Sequence, residues 1–177
     1  TDIDLSRIQQ AINSNLNNDI FIKSCKVVND DFHSRFSATK RQYEYNISKK
    51  FNPFNRHYEW ILKWKNIDNE LLKICSDTII GKHDFGSFCK ATSKKDNNFC
   101  NIIQSKWIFD KEAIKYKIEA DRFLHHMVRF LVGTMIEVSR NKISLNDFKK
   151  LLKHDGKNKT GIVSSPAKGL VLKKIHY

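Results

Sequence analysis

The stretch Asp121-Arg122-Phe123-Leu124-His125-His126-Met127-Val128-Arg129-Phe130-Leu131-Val132-Gly133-Thr134-Met135 decides how the rest of the chain is read. Phe123, Met127, Phe130, Leu131, Met135 and Val138 recur at helical spacing, and Asp121 stands where an N-cap belongs, so the pattern predicts one amphipathic helix. Arg129 is the exception in this apolar run. Arginine keeps its charge and is seldom buried alone, so either it reaches outward along its aliphatic stem or an anionic group lies at the core edge. His125 and His126, adjacent on a helix, would point about 100° apart and so cannot share a metal as an i, i+4 pair would.

Working outward, 177 residues suffice for one substantial core, and a formal net charge of +13 favours a polyanionic partner, nucleic acid first. Compositional bias toward Lys, Asn and Ile is the competing source of that charge. Cys25, Cys75, Cys89 and Cys100 form no Cys-x-x-Cys pair and read as reduced thiols of a cytoplasmic protein. No apolar run reaches the roughly 20 residues of a membrane helix.

Leu5, Ile8, Ile12 and Leu16 predict an opening helix, and the alternation of Ile20, Ile22, Cys25 and Val27 predicts a strand. A helix at the first residues predicts further chain upstream, with 1–30 as the remnant of an N-terminal subdomain and 31–177 as an RNA-binding, catalytic-cleft domain. From Phe32 to Ile47 the chain is basic and aromatic, with Arg41, Tyr43, Tyr45 and Ile47 on one strand face. A phenol among cations suits base stacking, although half-buried sheet tyrosines fit the same pattern. Asn52-Pro53-Phe54-Asn55 reads as a turn. Asp68 to Ile80 predicts a surface helix closed by Gly81, and His83 to Asp96 a long cationic loop that grips a ligand. Ile102–Phe109 and Ala113–Ala120 predict a hairpin feeding the central helix. Ser144 to Leu152 predicts a short capped helix, His154 to Lys159 a cationic turn, and Leu170 to Ile175 a final strand. The sum is α+β, helices packed on one face of a mostly antiparallel sheet.

Four stretches together resemble the TruA-type tRNA pseudouridine synthases: Phe32-His33-Ser34-Arg35-Phe36-Ser37-Ala38 running into Tyr43-Glu44-Tyr45, His83-Asp84-Phe85 with Ser87-Phe88, Phe123 to Arg129 with Val132-Gly133-Thr134, and Pro166-Ala167 before Gly169-Leu170-Val171-Leu172. The resemblance implies a pseudouridine synthase fold with ferredoxin-like halves, and uridine isomerisation in the anticodon stem-loop of tRNA, at tRNA positions 38, 39 and 40. It also implies no cofactor, no catalytic metal and a homodimer sharing one tRNA. In the family an aspartate in Arg-Thr-Asp-x-Gly-x-His-Ala is the nucleophile. That motif is absent from these 177 residues; Thr1-Asp2 is followed by Ile3-Asp4-Leu5, so Asp2 is read as not that residue and the aspartate is expected upstream.

By the same resemblance, Tyr43 stacks on the uracil and accepts or relays its C5 proton, and Arg129 pairs with the catalytic aspartate. Leu170 and Leu172 wall the uracil pocket, a role core packing explains equally well. Arg35, Lys40, Arg41, Lys90, Lys94 and Lys95 are candidate phosphate contacts. The chain alone is expected to be inactive. An RNA-binding module without catalysis is the alternative.

Overall fold

In a computed structural model, residues 4–64, 66–90, 92, 97–153 and 161–177 are described. The chain divides into two compact units, Thr1–Ser37 and Ala38–Tyr177.

In the first unit, helix α1 (Leu5–Asn15) starts at Asp4, whose carboxylate accepts the Ser6 amide at 3.0 Å. The segment after it is not the strand that alternation predicts. Ile20, Phe21 and Val27 are 54 %, 70 % and 81 % exposed, so the alternating residues have no sheet to bury against. The extended backbone is instead held by α1 side chains. Asn13 forms a two-way pair with Ile22, donating to its carbonyl at 3.0 Å and accepting its amide at 2.8 Å, while Gln9 donates to the Ile22 and Lys23 carbonyls at 3.0 Å. An amide side chain thereby does what a neighbouring strand would do.

The second unit is a six-stranded sheet with helices on it. Strand β1 (Lys40–Ser48) lies at its centre, antiparallel to β5 (Ala113–Ala120) along one edge. Its other edge is shared by β6 (Leu170–His176), antiparallel over Lys40–Tyr45, and the two-residue β2 (Trp60–Ile61), parallel at Ile47 and Ser48. Beyond β5 come β4 (Phe99–Phe109) and β3 (Gly81–Asp84), both pairings antiparallel. Alternation works as expected in β5, where Ile114, Tyr116, Ile118 and Ala120 are at most 1 % exposed while Lys115, Lys117 and Glu119 face away. On that far face Glu44, almost buried, meets Lys117 at 3.2 Å and Lys115 at 3.7 Å.

Helices α2 (Asn69–Thr78), α3 (Met127–Ser139) and α4 (Leu145–Leu151) supply the other half of the core. Asp68 caps α2 through the Glu70 and Leu71 amides, and Ser144 caps α4 through the Asp147 amide. The central helix departs from its expected form twice. Ten of its thirteen residues are buried, so it is enclosed on most sides rather than amphipathic. It also begins at Met127, not after Asp121, because Asp121 prolongs the sheet: its amide donates to the Asn101 carbonyl at 3.2 Å and its carboxylate accepts the Asn101 amide at 2.9 Å. His126, at φ 66°, turns the chain into the helix from there.

The expected loop from His83 is likewise core rather than surface at its start. Gly81–Asp84 pair with β4, a 3-10 turn at Gly86–Phe88 follows, and Phe85 and Phe88 are fully buried, Phe88 facing Phe148 at 6.1 Å. Burying two phenylalanines outweighs the polar residues between them, by about 2 kcal/mol for each ring. The turn expected at 154–159 lies outside the described residues.

The chain from Val163 to Pro166 runs directly along α3. A Cβ on Gly133 would overlap the Val163 carbonyl oxygen and stand 2.8 Å from the Ser165 amide nitrogen. Gly133→Ala is therefore expected to lower the unfolding free energy by about 2 kcal/mol, measured as a reduced urea midpoint with an unchanged m-value. A second outcome concerns Tyr45, whose hydroxyl donates to the Pro166 carbonyl at 2.6 Å. Burial pushes its phenol up to about 12 from 10.0, against the opposing pull of Ser165 and Arg129. With the folded value above the unfolded one, this stability is complete below pH 10 and is lost as pH rises toward 12. Tyr45→Phe is expected to flatten that part of the alkaline stability curve while lowering stability at pH 7.

Candidate active site

Burial along β1 falls from Ile47 and Tyr45, which are enclosed, to Tyr43 and Arg41, which are half-buried, marking where the helices stop covering the sheet. At that margin the pairing register collects apolar side chains. Leu170 is opposite Tyr45 and Leu172 opposite Tyr43 across β6, while Tyr116 and Ile118 take the corresponding places across β5. A bulge between Gln42 and Tyr43 adds Lys173 to β6, which keeps Leu170, Leu172 and Ile175 on the helix side. Phe123 closes the group, its ring edge-on to Tyr43 with centroids 5.1 Å apart. Leu170 is half-buried and Leu172 is 46 % exposed.

Burial raises the Tyr43 phenol above its ordinary value, against a smaller opposing effect of Arg41. Tyr43 is therefore a neutral phenol at rest, not a phenolate. Arg41 spends much of its bonding on the backbone: Nη1 donates to the Ala38 carbonyl at 2.8 Å and the Asp121 carbonyl at 2.7 Å. That contact pins the chain entering α3 to β1, and it leaves Arg41 as a brace of the site as well as a phosphate candidate.

Arg129, in the first turn of α3, is half-buried. Its Nε donates to the Ser165 carbonyl at 2.8 Å, and in return Ser165 donates its amide and hydroxyl to the Arg129 carbonyl at 3.0 and 3.1 Å. Among the described residues it forms no ion pair with a carboxylate. Its charge acts on the Tyr45 phenol and on His126, so it stands beside the tyrosine that neighbours Tyr43 on the same strand face. Tyr43, Tyr45, Phe123, Leu170, Leu172 and Arg129 thus belong to one end of the sheet. A planar guanidinium next to apolar rings is suited to fixing a carboxylate beside a flat, uncharged ring such as a nucleobase.

The remaining cations are more dispersed. Lys90 is exposed beside His125, whose carbonyl accepts its amide at 3.1 Å, and its charge, with those of His125 and Arg129, lowers His126 together with the larger effect of burial. Lys40 lies 3.8 Å from Glu119, which His176 also approaches at 3.8 Å. Arg35 belongs to the first unit, exposed and 5.5 Å from the centre of the Phe36 ring. Lys94, Lys95 and Asp2 lie outside the described residues. Among the described residues no group of three or more His, Cys, Asp or Glu is arranged to hold a metal. Ser165 and Phe123 escaped the sequence reading: a serine between Ser164 and Pro166 carries no signal of a helix contact, and Phe123 was assigned to a helix that begins four residues later.

The sequence profile of the tRNA pseudouridine synthases matches residues 76–177. The tRNA pseudouridine synthase A of Dictyoglomus thermophilum is 39 % identical over 173 residues, covering 97 % of this chain and 69 % of that protein. That of Bacteroides fragilis is 34 % identical over 176 residues, covering 99 % and 69 %, and that of Bacillus subtilis 30 % over 177, covering 99 % and 71 %. With the profile over more than half its length and similarity over almost all of it, the chain belongs to the tRNA pseudouridine synthase family.

Proposed function

We propose that this chain provides the uracil-facing wall and the carboxylate-orienting arginine of a tRNA pseudouridine synthase acting on uridines of the anticodon stem-loop. Family membership supports the reaction, uridine to pseudouridine in tRNA. The reaction breaks the N1–C1′ bond, turns the uracil over, joins C5 to C1′ and then removes the C5 proton. It needs an extruded base, an ionised carboxylate and a route for that proton.

In this reading Arg129 holds the aspartate ionised and aimed. The observation that carries it is a half-buried guanidinium at the sheet margin without a carboxylate among the described residues. The acid itself comes from outside residues 1–177, which hold no Arg-Thr-Asp-x-Gly-x-His-Ala sequence. Tyr43 stacks on the uracil, with Phe123 and Leu172 around it and Leu170 beside Tyr45. Because its phenol is raised rather than lowered, its proton role is a relay: it accepts the C5 proton only while passing its own onward. Lys40, Arg41, Lys90, Lys94, Lys95 and Arg35 supply phosphate contacts, which the +13 charge supports. A homodimer, as the family resemblance implies, and a cytoplasmic setting complete the reading; the four free cysteines suit a reducing compartment.

Three outcomes test it. In an enzyme that includes the aspartate-bearing segment, Tyr43→Phe is expected to bind tRNA within about twofold of wild type while losing roughly 100-fold or more in turnover, read as release of tritium from C5-labelled uridine; wild-type rates would remove the relay and leave stacking. Arg129→Lys in the same enzyme is expected to cost about as much, since lysine cannot clamp a carboxylate through two parallel bonds. Residues 1–177 alone should bind tRNA without turnover, with an affinity that falls steeply between low and high salt. An affinity indifferent to salt would contradict the cationic reading.

A further inference from the structure

The connection between β1 and β2 carries three strongly exposed aromatic residues within a short stretch of chain. Phe51, Phe54 and Tyr58 are 68 %, 87 % and 67 % exposed, whereas Phe85, Phe88 and Phe148 are fully buried. Exposing three rings within eight residues opposes the hydrophobic effect and marks a surface that another molecule covers. The loop is not loose. The Phe54 amide donates to the Asn52 side chain at 2.9 Å, the Asn55 amide to the Asn52 carbonyl at 3.2 Å and the Tyr58 amide to the Asn55 carbonyl at 2.9 Å. Arg56 donates to the Pro53 carbonyl at 2.7 Å, and the Asn55 side chain to Glu59 at 3.2 Å. A backbone tied in this way presents its side chains to a partner with little further ordering of the loop.

The charge around them selects that partner. Lys49, Lys50 and Arg56 belong to the same stretch of chain and Lys168 is bonded to it, against Glu59 and Glu112, the latter paired with Lys50. An apolar protein surface would have to bury these cations; a polyanion neutralises them. A paired duplex hides its ring faces in its own stack, so three exposed aromatics fit unpaired nucleotides. The position fits as well. Lys168 donates to the Arg56 carbonyl at 3.0 Å and lies in the short Ala167–Gly169 turn that delivers Leu170 to the site margin. Along β1, Tyr43 and Lys49 are separated by about 20 Å of strand, a span of more than one nucleotide.

We infer that the Lys49–Glu59 loop is a stacking platform for unpaired nucleotides of the substrate tRNA flanking the reacting uridine, distinct from the wall that holds the uracil itself. This rests on the tRNA reading above and adds a second contact to it. The platform holds loop nucleotides by their ring faces and discriminates a looped RNA from a continuous helix.

The test uses residues 1–177, a fluorescently labelled anticodon stem-loop RNA and a fully paired duplex of equal length, with binding read by anisotropy. The triple variant Phe51→Ala, Phe54→Ala, Tyr58→Ala is expected to weaken stem-loop binding roughly tenfold or more, leaving duplex affinity and the salt dependence unchanged. Phe54→Trp is expected to bind the stem-loop as wild type does and to show quenched indole emission on binding. Single Phe54→Ala, checked by circular dichroism, answers for any misfolding of the triple variant and should weaken the stem-loop alone. Equal losses for both RNAs, or no loss, would overturn the platform, as would a triple variant altered in sedimentation but not in RNA affinity, which would assign the rings to a second copy of the chain. If wild type binds the stem-loop and the variants are indifferent, only the platform falls; if wild type binds no RNA, the tRNA reading falls with it.

Discussion

The reciprocal pairing of Arg129 with Ser165 is the contact on which the second unit depends. The Arg129 carbonyl takes the amide and hydroxyl of Ser165, the Arg129 side chain returns a bond to the Ser165 carbonyl, and Gly133 leaves room for the Val163 backbone to press against α3. This one seam locks a half-buried charge in place and fixes the entry point of β6. From there Pro166 receives the Tyr45 hydroxyl, Gly169 passes against the Tyr45 ring, and Leu170 and Leu172 arrive beside Tyr45 and Tyr43. The orientation of the guanidinium and the composition of the apolar wall are consequences of the same few bonds. A site built this way is preorganised by elements 36 residues apart in sequence rather than by a loop that must close.

Electrostatics at the two faces of the sheet follow opposite rules. On the far face Glu44 is nearly enclosed, yet its carboxyl is held below the usual range: burial works to raise it, and Lys117 and Lys115 together overcome that. On the helix side Tyr43, Tyr45 and Tyr116 have their hydroxyls pushed upward by burial. A carboxylate flanked by lysines thus stays charged despite its burial, phenols without such flanking stay neutral, and Arg129 has no counter-charge among the described residues.

Much of the architecture was legible because local signals and burial agree. Ser144, Asp68 and the alternation of Ile114, Tyr116 and Ile118 each announce an element that the structure contains. The reading failed where a distant contact decides. Ile20 to Val28 alternates correctly but lacks a sheet, and its backbone turns to Asn13 and Gln9. Asp121 resembles a cap but is claimed by Asn101, twenty residues away. Phe85 and Phe88 sit among polar residues that hide their burial. For the site, composition pointed to a polyanionic partner and the apolar run to an unexplained arginine; the roles of Tyr43, Arg129, Leu170 and Leu172 came from the family resemblance, and only strand register shows that Leu172 faces Tyr43. The exposed rings of the β1–β2 connection were invisible because a Pro-Phe turn says nothing about what covers it.

The bulge at Gln42 and Tyr43 has an implication for how this chain tolerates change in length. Side-chain direction in a strand is a parity, and the bulge absorbs the additional lysine at 173 so that Ile175 keeps the face of Leu172. Replacing Lys173 alters one group whose charge acts on Glu44. Deleting it would leave Lys174 opposite Gln42 and Ile175 opposite Arg41 in regular alternation, removing the bulge without turning a side chain over. This residue can therefore be lost as well as replaced without moving Leu170, Leu172 or Ile175 off the helix side.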